Sequence, residues 1–298
     1  MSPSDWLHSG FFFPYRNHKI FYRQHRSKND CILFLHGFPT SSWDWSKVWD
    51  GLANEYRLLA PDFLGLGFSD KPRNHHYSIF EQADMIEYLI SEVGSVKFHI
   101  LAHDYGVTVA QELVARCNEK KETGQPYFQI KSVCFLNGGL FPGAYQPLLV
   151  QKILGSGFGT LAAAIMNQFT FERSFNKILG PHSKASGQEL TYFWHIINHN
   201  NGKRVIPKVI QYMKERKQFH HRWTTALQKT DVPLKLINGP EDPISGISMV
   251  NKYKELIPNP DVAVLNGIGH YPQTEAPREV LKTYREFLGR NFESHSPS

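Results

Sequence analysis

The chain has 298 residues, of which 41% are hydrophobic and 20% are charged, a composition typical of a soluble globular protein with a large buried core. Lysine and arginine exceed aspartate and glutamate, which gives a net charge of +6. No run of about 18 apolar residues is present, so we do not expect a transmembrane helix.

The cysteines and the first residues predict a cytoplasmic protein. Cys31, Cys117 and Cys134 are too few and too scattered for a disulfide framework or a metal cage. Cys31 and Cys134 lie in apolar, strand-like runs, where we expect buried, reduced thiols. Residues 1–10 lack the basic region and apolar core of a secretory signal.

Apolar patterning along the chain predicts alternating strands and helices. Strands are expected at 10–15, 19–24, 31–35, 57–60, 97–101, 130–136, 234–238 and 262–265. Helices are expected at 79–93, 107–117, 248–256 and 278–290. This alternation predicts an α/β fold with a mostly parallel eight-stranded sheet and helices on both faces.

Residues 140–225 interrupt this alternation, with several helical segments and no clear strand. We therefore predict a core domain formed by residues 1–139 and 226–298, and a helical lid formed by 140–225. Ligands of open α/β sheets bind at the carboxyl ends of the strands, where we expect the lid to lie.

A basic cluster lies within the lid. Its members are Lys203, Arg204, Lys208, Lys214, Arg216, Lys217 and Arg222. A solvated helix face is the favoured interpretation, because no nucleic-acid motif accompanies the charges and we expect no nucleic-acid partner. Weak contact with an anionic membrane surface is the alternative. The sequence does not indicate an oligomeric state.

The segment LAHDYG at 101–106 carries the strongest motif, a small residue, a central residue and a glycine between a predicted strand and a predicted helix. This is the pattern of a nucleophile elbow, with Asp104 at the position of the nucleophile. A carboxylate is ionised at neutral pH and needs no base to activate it. Asp104 is therefore predicted to displace a leaving group from saturated carbon and form an ester.

Breaking such an ester requires a base and an acid that orients the base. His270, in GIGHYP after the last predicted strand, is the predicted base that activates water. Asp242 follows the preceding strand and is the predicted orienting acid, with Glu241 as its competitor. The other acid position of such sheets holds Asn137, an amide, which favours Asp242.

The ester's hydrolysis also needs donors for a negative oxygen. The backbone N–H groups of Phe38, in the turn HGFP, and of Tyr105 are the predicted oxyanion hole. His195 and His199 lie four residues apart but lack a third ligand, so we expect no metal and no organic cofactor.

At these residues the chain resembles the α/β-hydrolase superfamily, in its branch of epoxide hydrolases and haloalkane dehalogenases. HGFPTSS at 36–42, DFLGLGFSDKP at 62–72, HHYSIFEQ at 75–82 and HDYG at 103–106 are most similar to the mesoderm-specific transcript proteins. The resemblance implies a hydrolase of no settled substrate. The chain departs from the vertebrate members in its first residues, which contain no apolar leader.

Haloalkane dehalogenases hold the leaving halide with a tryptophan after the nucleophile and a second donor, often in the His-Gly turn. Tyr105 and Phe38 occupy those positions here, so Trp194 or Trp223 of the lid would have to supply the donors. Dehalogenation is therefore the alternative rather than the leading hypothesis.

Epoxide hydrolases share the HGFP turn and protonate the opening oxygen with lid tyrosines. Tyr212 resembles one such proton donor, and Tyr145 and Tyr192 are weaker candidates for the other. The resemblance thus favours an epoxide hydrolase-like enzyme acting on a small apolar electrophile. A third hypothesis is a binding or signalling protein that keeps the fold with little turnover.

Overall fold

The computed structural model describes residues 1–27, 29–94, 97–124 and 128–293, with side chains up to residue 290. The strands are β1 (Phe11–Tyr15), β2 (His18–His25), β3 (Cys31–Leu35), β4 (Arg57–Pro61), β5 (Lys97–Ala102), β6 (Gln129–Phe135), β7 (Leu234–Asn238) and β8 (Asp261–Val264). The helices are α1 (Pro3–His8), α2 (Ser46–Ala53), α3 (Ile79–Glu92), α4 (Tyr105–Glu122), α5 (Leu149–Leu154), α6 (Gly159–Ile165), α7 (Gln168–Asn176), α8 (Gly187–Asn198), α9 (Ile206–Val209), α10 (Tyr212–Gln218), α11 (His220–Lys229), α12 (Ile247–Leu256), α13 (Pro272–Glu275) and α14 (Pro277–Glu293).

The strands form one sheet in the order β1-β2-β4-β3-β5-β6-β7-β8. β2 pairs antiparallel with β1 and β4, and the remaining neighbours pair in parallel. Helices α3, α4 and α11 pack together as one layer, and α2, α13 and α14 pack together as another. The predicted α/β-hydrolase fold, with a mostly parallel eight-stranded sheet, is confirmed.

The sheet's central strand explains why its sequence is uninterruptedly apolar. β3 reads Cys-Ile-Leu-Phe-Leu, and all five residues are buried. It pairs in parallel with β4 on one side and β5 on the other. A parallel strand with both faces covered needs apolar side chains at every position rather than at alternate ones.

The carboxyl ends of neighbouring strands gather the predicted site residues at one edge of the sheet. Asp104 follows β5, Asn137 follows β6, Asp242 follows β7, and His270 follows β8. Because β5 to β8 are consecutive neighbours, residues that are far apart in the sequence become adjacent.

Residues 136–233 form helices α5 to α11 and a 3₁₀ helix at His199–Arg204, without a strand. This content agrees with the helical character expected of 140–225, and the division into core and lid stays a prediction. We call residues 140–225 the lid segment below. None of the helices in the described ranges is long and apolar enough to cross a bilayer.

Helix α4 is longer than predicted, since it continues through residues 118–122. Its last turns carry polar side chains that pair across the surface, Glu119 with Arg222 and Lys121 with Asp231. Polar composition therefore marks the solvated end of a helix here, and the expected end at Cys117 was wrong.

Gly106 brings the start of α4 against the end of β3. A Cβ at this position would lie 2.2 Å from the Leu35 carbonyl oxygen and 2.8 Å from that of His36. Both atoms belong to the backbone and cannot rotate away. Only a hydrogen atom fits between the elbow and the neighbouring strand.

Replacing Gly106 with alanine is therefore expected to destabilise the protein by about 3 kcal/mol, the upper range for overpacking a tight interior. Gly289→Ala provides a matched control with the opposite sign. Gly289 is exposed in α14, and a Cβ added there would meet nothing within 4 Å. At that position alanine should stabilise by up to about 1 kcal/mol. Urea unfolding of the three proteins measures both changes, and equal stabilities for Gly106→Ala and the parent would contradict the packing argument.

Candidate active site

Asp104 lies at the sharp turn between β5 and α4, with a φ of 44° and a ψ of −101°. A positive φ is unfavourable for a residue with a Cβ, so surrounding hydrogen bonds must hold this conformation. The Asp104 N–H donates to the Asn137 carbonyl at 2.8 Å, and the Gly106 N–H donates to the His36 carbonyl at 2.9 Å. The strained turn is thus fixed from β6 on one side and β3 on the other.

The Asp104 carboxylate is buried, and one of its oxygens meets the HGFP turn. The Phe38 backbone N–H donates to Oδ2 at 3.1 Å. The Tyr105 N–H is the first of helix α4, where no earlier helical carbonyl can accept it. The structure therefore brings Phe38 to the carboxylate, and the use of Tyr105 as a second donor stays a prediction.

His270 and Asp242 form a buried hydrogen-bonded pair. His270 Nδ1 lies 2.7 Å from Asp242 Oδ2, and both side chains are almost completely excluded from solvent. This contact leaves Nε2 as the nitrogen available for proton transfer. Glu241, the competing acid, makes no such contact among the described hydrogen bonds of His270.

Asp242 is held by more donors than sequence reasoning anticipated. Its Oδ2 also accepts from Asn137 Nδ2 at 2.9 Å and from Ser245 Oγ at 2.7 Å, and its Oδ1 accepts from the Ile244 N–H at 2.8 Å. Asn137, considered above only as a replacement for an acid, thus supports the acid that is present.

The charges of this pair stabilise each other. Burial alone would raise the pKa of Asp242, but His270 and the hydrogen bonds from Ser245 and Ile244 hold it below its usual value. Burial alone would lower the pKa of His270, but Asp242, with smaller contributions from Asp104 and Glu275, raises it to about 9. The imidazole is therefore readily protonated.

The loop that carries His270 is fastened to the lid segment. The His270 N–H donates to the Ile178 carbonyl at 2.8 Å. Glu275 Oε2 accepts from the N–H groups of Gly180 at 2.7 Å and Gly269 at 2.9 Å, and from Ser183 Oγ at 2.5 Å. These contacts make the position of His270 depend on the lid segment.

Tyr212 of the lid segment reaches the elbow. It is buried, and its ring lies 4.7 Å from that of Tyr105 and 5.8 Å from that of Phe38, between centroids. Burial first, and then the nearby Asp104 carboxylate, raise the pKa of Tyr212, so its phenol stays protonated. A protonated phenol thus belongs to the group of side chains around the elbow.

The two weaker candidates for a proton-donating tyrosine lie in different places. Tyr145 lies near the side chains around the elbow, with its ring 5.8 Å from the Arg216 guanidinium carbon. Tyr192 lies elsewhere, where its ring contacts Trp43 and its hydroxyl accepts from Gln188. Tyr145 is thus the better placed second tyrosine.

Neither lid tryptophan considered as a halide donor contacts the elbow among the described interactions. Trp223 is buried, and its indole N–H donates to Glu112 Oε2 at 2.8 Å. The Trp194 ring packs on Phe171, with 5.7 Å between centroids. The Trp223 donor is therefore already used by a carboxylate.

Arg216 is a site residue that sequence reasoning missed. Only 6% exposed, it donates through Nη2 to the Asp104 carbonyl at 2.8 Å and through Nε to Thr108 Oγ1 at 2.6 Å. Nη2 also lies 3.8 Å from Asp104 Oδ1. A Cβ on Gly139 would meet Nη1 at 2.5 Å, so this glycine leaves room for the guanidinium. The available signal was the spacing of four residues from Tyr212, which places both side chains on one face of α10.

Comparisons with known proteins agree with the fold described above. A family model described as alpha/beta hydrolase fold matches residues 30–120. The mesoderm-specific transcript homolog protein of Bos taurus is 42% identical over 300 residues, which cover 97% of this chain and 89% of that protein.

Two solved structures share the fold at lower identity. An epoxide hydrolase, CorEH, superposes with a TM-score of 0.75 at 20% identity, over 94% of this chain and 98% of that one. The haloalkane dehalogenase DatA of Agrobacterium tumefaciens C58 gives a TM-score of 0.78 at 20% identity, over 95% and 96% of the two chains. The chain belongs to the α/β-hydrolase fold family and, within it, to the mesoderm-specific transcript proteins.

Proposed function

We propose that this α/β-hydrolase cleaves a small, largely apolar electrophile through a covalent ester on Asp104, with an epoxide as the substrate class. The observation that carries the proposal is the arrangement around one buried carboxylate. Asp104 Oδ2 accepts the Phe38 N–H, Tyr212 lies beside the elbow, and the His270–Asp242 pair occupies the same sheet edge.

In the first step, Asp104 Oδ1 attacks one ring carbon, and the bond between that carbon and the epoxide oxygen breaks. Oδ1 is the oxygen free of the Phe38 N–H, which stays on Oδ2. The departing alkoxide takes the proton of the Tyr212 phenol. A positioned acid of this kind typically contributes about 10²- to 10⁴-fold to the rate.

In the second step, His270 removes a proton from water while the hydroxide adds to the carbonyl carbon of the ester. Negative charge develops on Oδ2, which the Phe38 N–H already faces. As this intermediate collapses, the bond between the carbonyl carbon and Oδ1 breaks, and the departing alkoxide takes the remaining proton of the added hydroxyl. The diol is released, and the carboxylate is restored with one oxygen derived from water. The proton on His270 returns through solvent to Tyr212, so the net reaction is addition of water to the epoxide.

Arg216 adds a fixed positive charge that the related mechanisms described above do not require. Its bond to the Asp104 carbonyl holds the strained turn, and its guanidinium lies 4.6 Å from the Tyr212 ring. The charge favours the phenolate that remains after proton donation. Arg216 thus supports Tyr212 as the proton donor, and Tyr145, whose ring also lies near the guanidinium, is the candidate for a second donor.

Dehalogenation is the second candidate, and the hydrogen bond between Trp223 and Glu112 disfavours it. A departing halide needs N–H donors aimed at it, and Phe38 and Tyr105 occupy the positions where such side-chain donors would stand. The third candidate, a binding protein with little turnover, gives no reason for the buried His270–Asp242 pair, because ligand binding does not need a base.

The His270→Gln variant is expected to trap the ester, since it retains the nucleophile and loses the base. Incubation with a panel of small apolar epoxides should add the mass of one substrate to the peptide containing Asp104, measured by mass spectrometry. Asp104→Asn is the matched control, because it preserves shape and removes the attacking charge. A parent enzyme that turns over epoxides while the His270→Gln variant forms no adduct would contradict the covalent mechanism.

The steady-state amount of ester should increase as pH falls. His270 must be neutral to accept a proton from water, and its pKa is raised to about 9 in the free enzyme. Ester formation removes the Asp104 charge, one of the groups that raise this pKa, so the transition in the ester lies below 9. Acid quenching at values from about pH 5.5 to about pH 9.5, which span the ordinary and the raised pKa of a histidine, followed by intact mass measurement, follows the effect. An ester fraction that rises with pH would refute the role of His270.

Tyr212→Phe should slow ester formation from epoxides about 100-fold, because the alkoxide loses its proton donor. Tyr192→Phe is the control, since this lid tyrosine contacts Trp43 and Gln188 instead. Single-turnover kinetics with excess enzyme isolates the step. Equal rates for the two variants would remove Tyr212 from the mechanism.

A further inference from the structure

The lid segment exposes large apolar side chains to an unusual degree. Five side chains between residues 149 and 169 are more than 60% exposed: Leu149 (73%), Phe158 (74%), Leu161 (64%), Ile165 (71%) and Phe169 (70%). Scattered exposed apolar residues are ordinary, but a concentration of this size marks an interaction surface.

Helical spacing groups these residues into faces. Phe158, Leu161 and Ile165 follow the spacing of three and seven residues that places side chains on one side of α6. Leu149 and Ile153 are four residues apart on α5 and are both exposed. The opposite sides of the two helices are buried, through Leu154 on α5 and Ala163 on α6. The two short helices are therefore amphipathic, with their outer sides apolar.

The lid segment carries a large excess of positive charge. Residues 140–225 contain eleven lysines and arginines and three acidic residues, Glu172, Glu189 and Glu215. The excess of eight exceeds the net charge of +6 of the whole chain, so the remainder of the protein is slightly acidic. No aspartate or glutamate occurs between residues 140 and 171, the stretch that holds the exposed apolar side chains.

Part of the basic cluster lies directly beside this apolar surface. Lys203 Nζ donates to the carbonyls of Ala164 at 3.2 Å and Met166 at 3.0 Å, at the end of α6. The neighbouring Arg204 and Lys208 are exposed, as is Lys152 on α5. The exposed cations therefore border the apolar sides of both helices.

The basic cluster is not one uniform face, however. Arg216 is buried at Asp104, and Arg222 pairs with Glu112 and Glu119. Both therefore drop out of the solvated face and of the anionic contact considered from the sequence. Four other members of the cluster are exposed: Arg204, Lys208, Lys214 and Lys217. Of these, Arg204 and Lys208 lie on elements that pack against α6, and the Lys208 ammonium also donates to the Arg73 carbonyl.

We propose that the outer side of α5, α6 and the start of α7, with Lys152, Arg204 and Lys208, docks reversibly on a membrane surface that contains anionic phospholipids. We call this surface the lid face. Its aromatic and aliphatic side chains enter the boundary between headgroups and acyl chains, and its cations meet the lipid phosphates and carboxylates. A second copy of the chain is a poorer occupant, because two lid faces would oppose like charges.

This docking is independent of the chemistry at Asp104, and it complements that chemistry. A small apolar substrate concentrates in a bilayer, so a lid in contact with the membrane lies next to the substrate's reservoir. Membrane docking can therefore be disproved while the proposed hydrolase activity stands, and the activity can be disproved while the docking stands.

Flotation of the full chain with vesicles tests the proposal. The parent should bind vesicles of phosphatidylcholine with about 30% phosphatidylserine, and raising salt from about 0.1 M to about 0.5 M should weaken the binding. Phe158→Ser/Ile165→Ser should reduce binding about tenfold or more. Phe11→Ser/Phe12→Ser, which changes two exposed aromatic residues outside the lid, is the matched control and should bind as the parent does. Far-ultraviolet circular dichroism verifies that all variants are folded.

The charge contribution is tested separately. Arg204→Gln/Lys208→Gln should reduce binding to the phosphatidylserine vesicles more than to pure phosphatidylcholine vesicles. Absence of vesicle binding by the parent, or equal binding by the Phe158→Ser/Ile165→Ser variant, would overturn the proposal. A parent dimer in light scattering that this variant dissociates, without vesicle binding, would assign the lid face to self-association instead.

Discussion

The structure is organised around the burial of one carboxylate at a strained turn. Taking a charged group out of water is unfavourable unless donors and opposite charges surround it. At Asp104 these come from three parts of the chain: the Phe38 N–H after β3, the Arg216 guanidinium from α10, and the His270 ring after β8. The turn conformation, with its positive φ, is in turn fixed by backbone hydrogen bonds to the flanking strands. The fold therefore imposes the strained backbone at Asp104 and also provides the hydrogen bonds that stabilise it.

The lid segment takes part in this compensation rather than merely covering it. Arg216 and Tyr212 approach the elbow from α10, and Ile178 and Gly180 hold the loop of His270. Asp104 and His270 thus each receive support from the lid segment. A description of the site restricted to core residues would leave both incompletely positioned.

The sequence predicted the fold and the local motifs well, because these depend on short-range patterns. The elbow at 101–106, the HGFP turn and the loop of His270 are each recognisable within a few residues, and all follow strands whose apolar runs are clear. The ends of helices and the shortest helices were less predictable. The amino-terminal helix α1 was not predicted, although Ser2 and Asp5 form a capping box there, because six residues give too short a period to recognise.

Long-range contacts were the main omission. Arg216 reaches Asp104 across 112 positions of sequence, and Glu275 reaches Gly180 across 95. The spacing of four residues from Tyr212 is the one local signal for the burial of Arg216. No local pattern indicates that Glu275 binds backbone amides of the lid segment. In the sequence, Asn137 was considered only because it is an amide at a position where an acid was possible. Its contact with Asp242 depends on the register of β6 and β7, which the sequence does not give.

The hydrogen bond from Arg216 to the Asp104 carbonyl has a consequence for any movement of α10. An outward swing of α10 deprives that carbonyl and the Thr108 hydroxyl of their donor at once. It also carries Tyr212 away, since both side chains stand on that helix, so the elbow loses its phenol and its cation together. The contacts of Arg216 and Tyr212 with the elbow are therefore made or lost as a group.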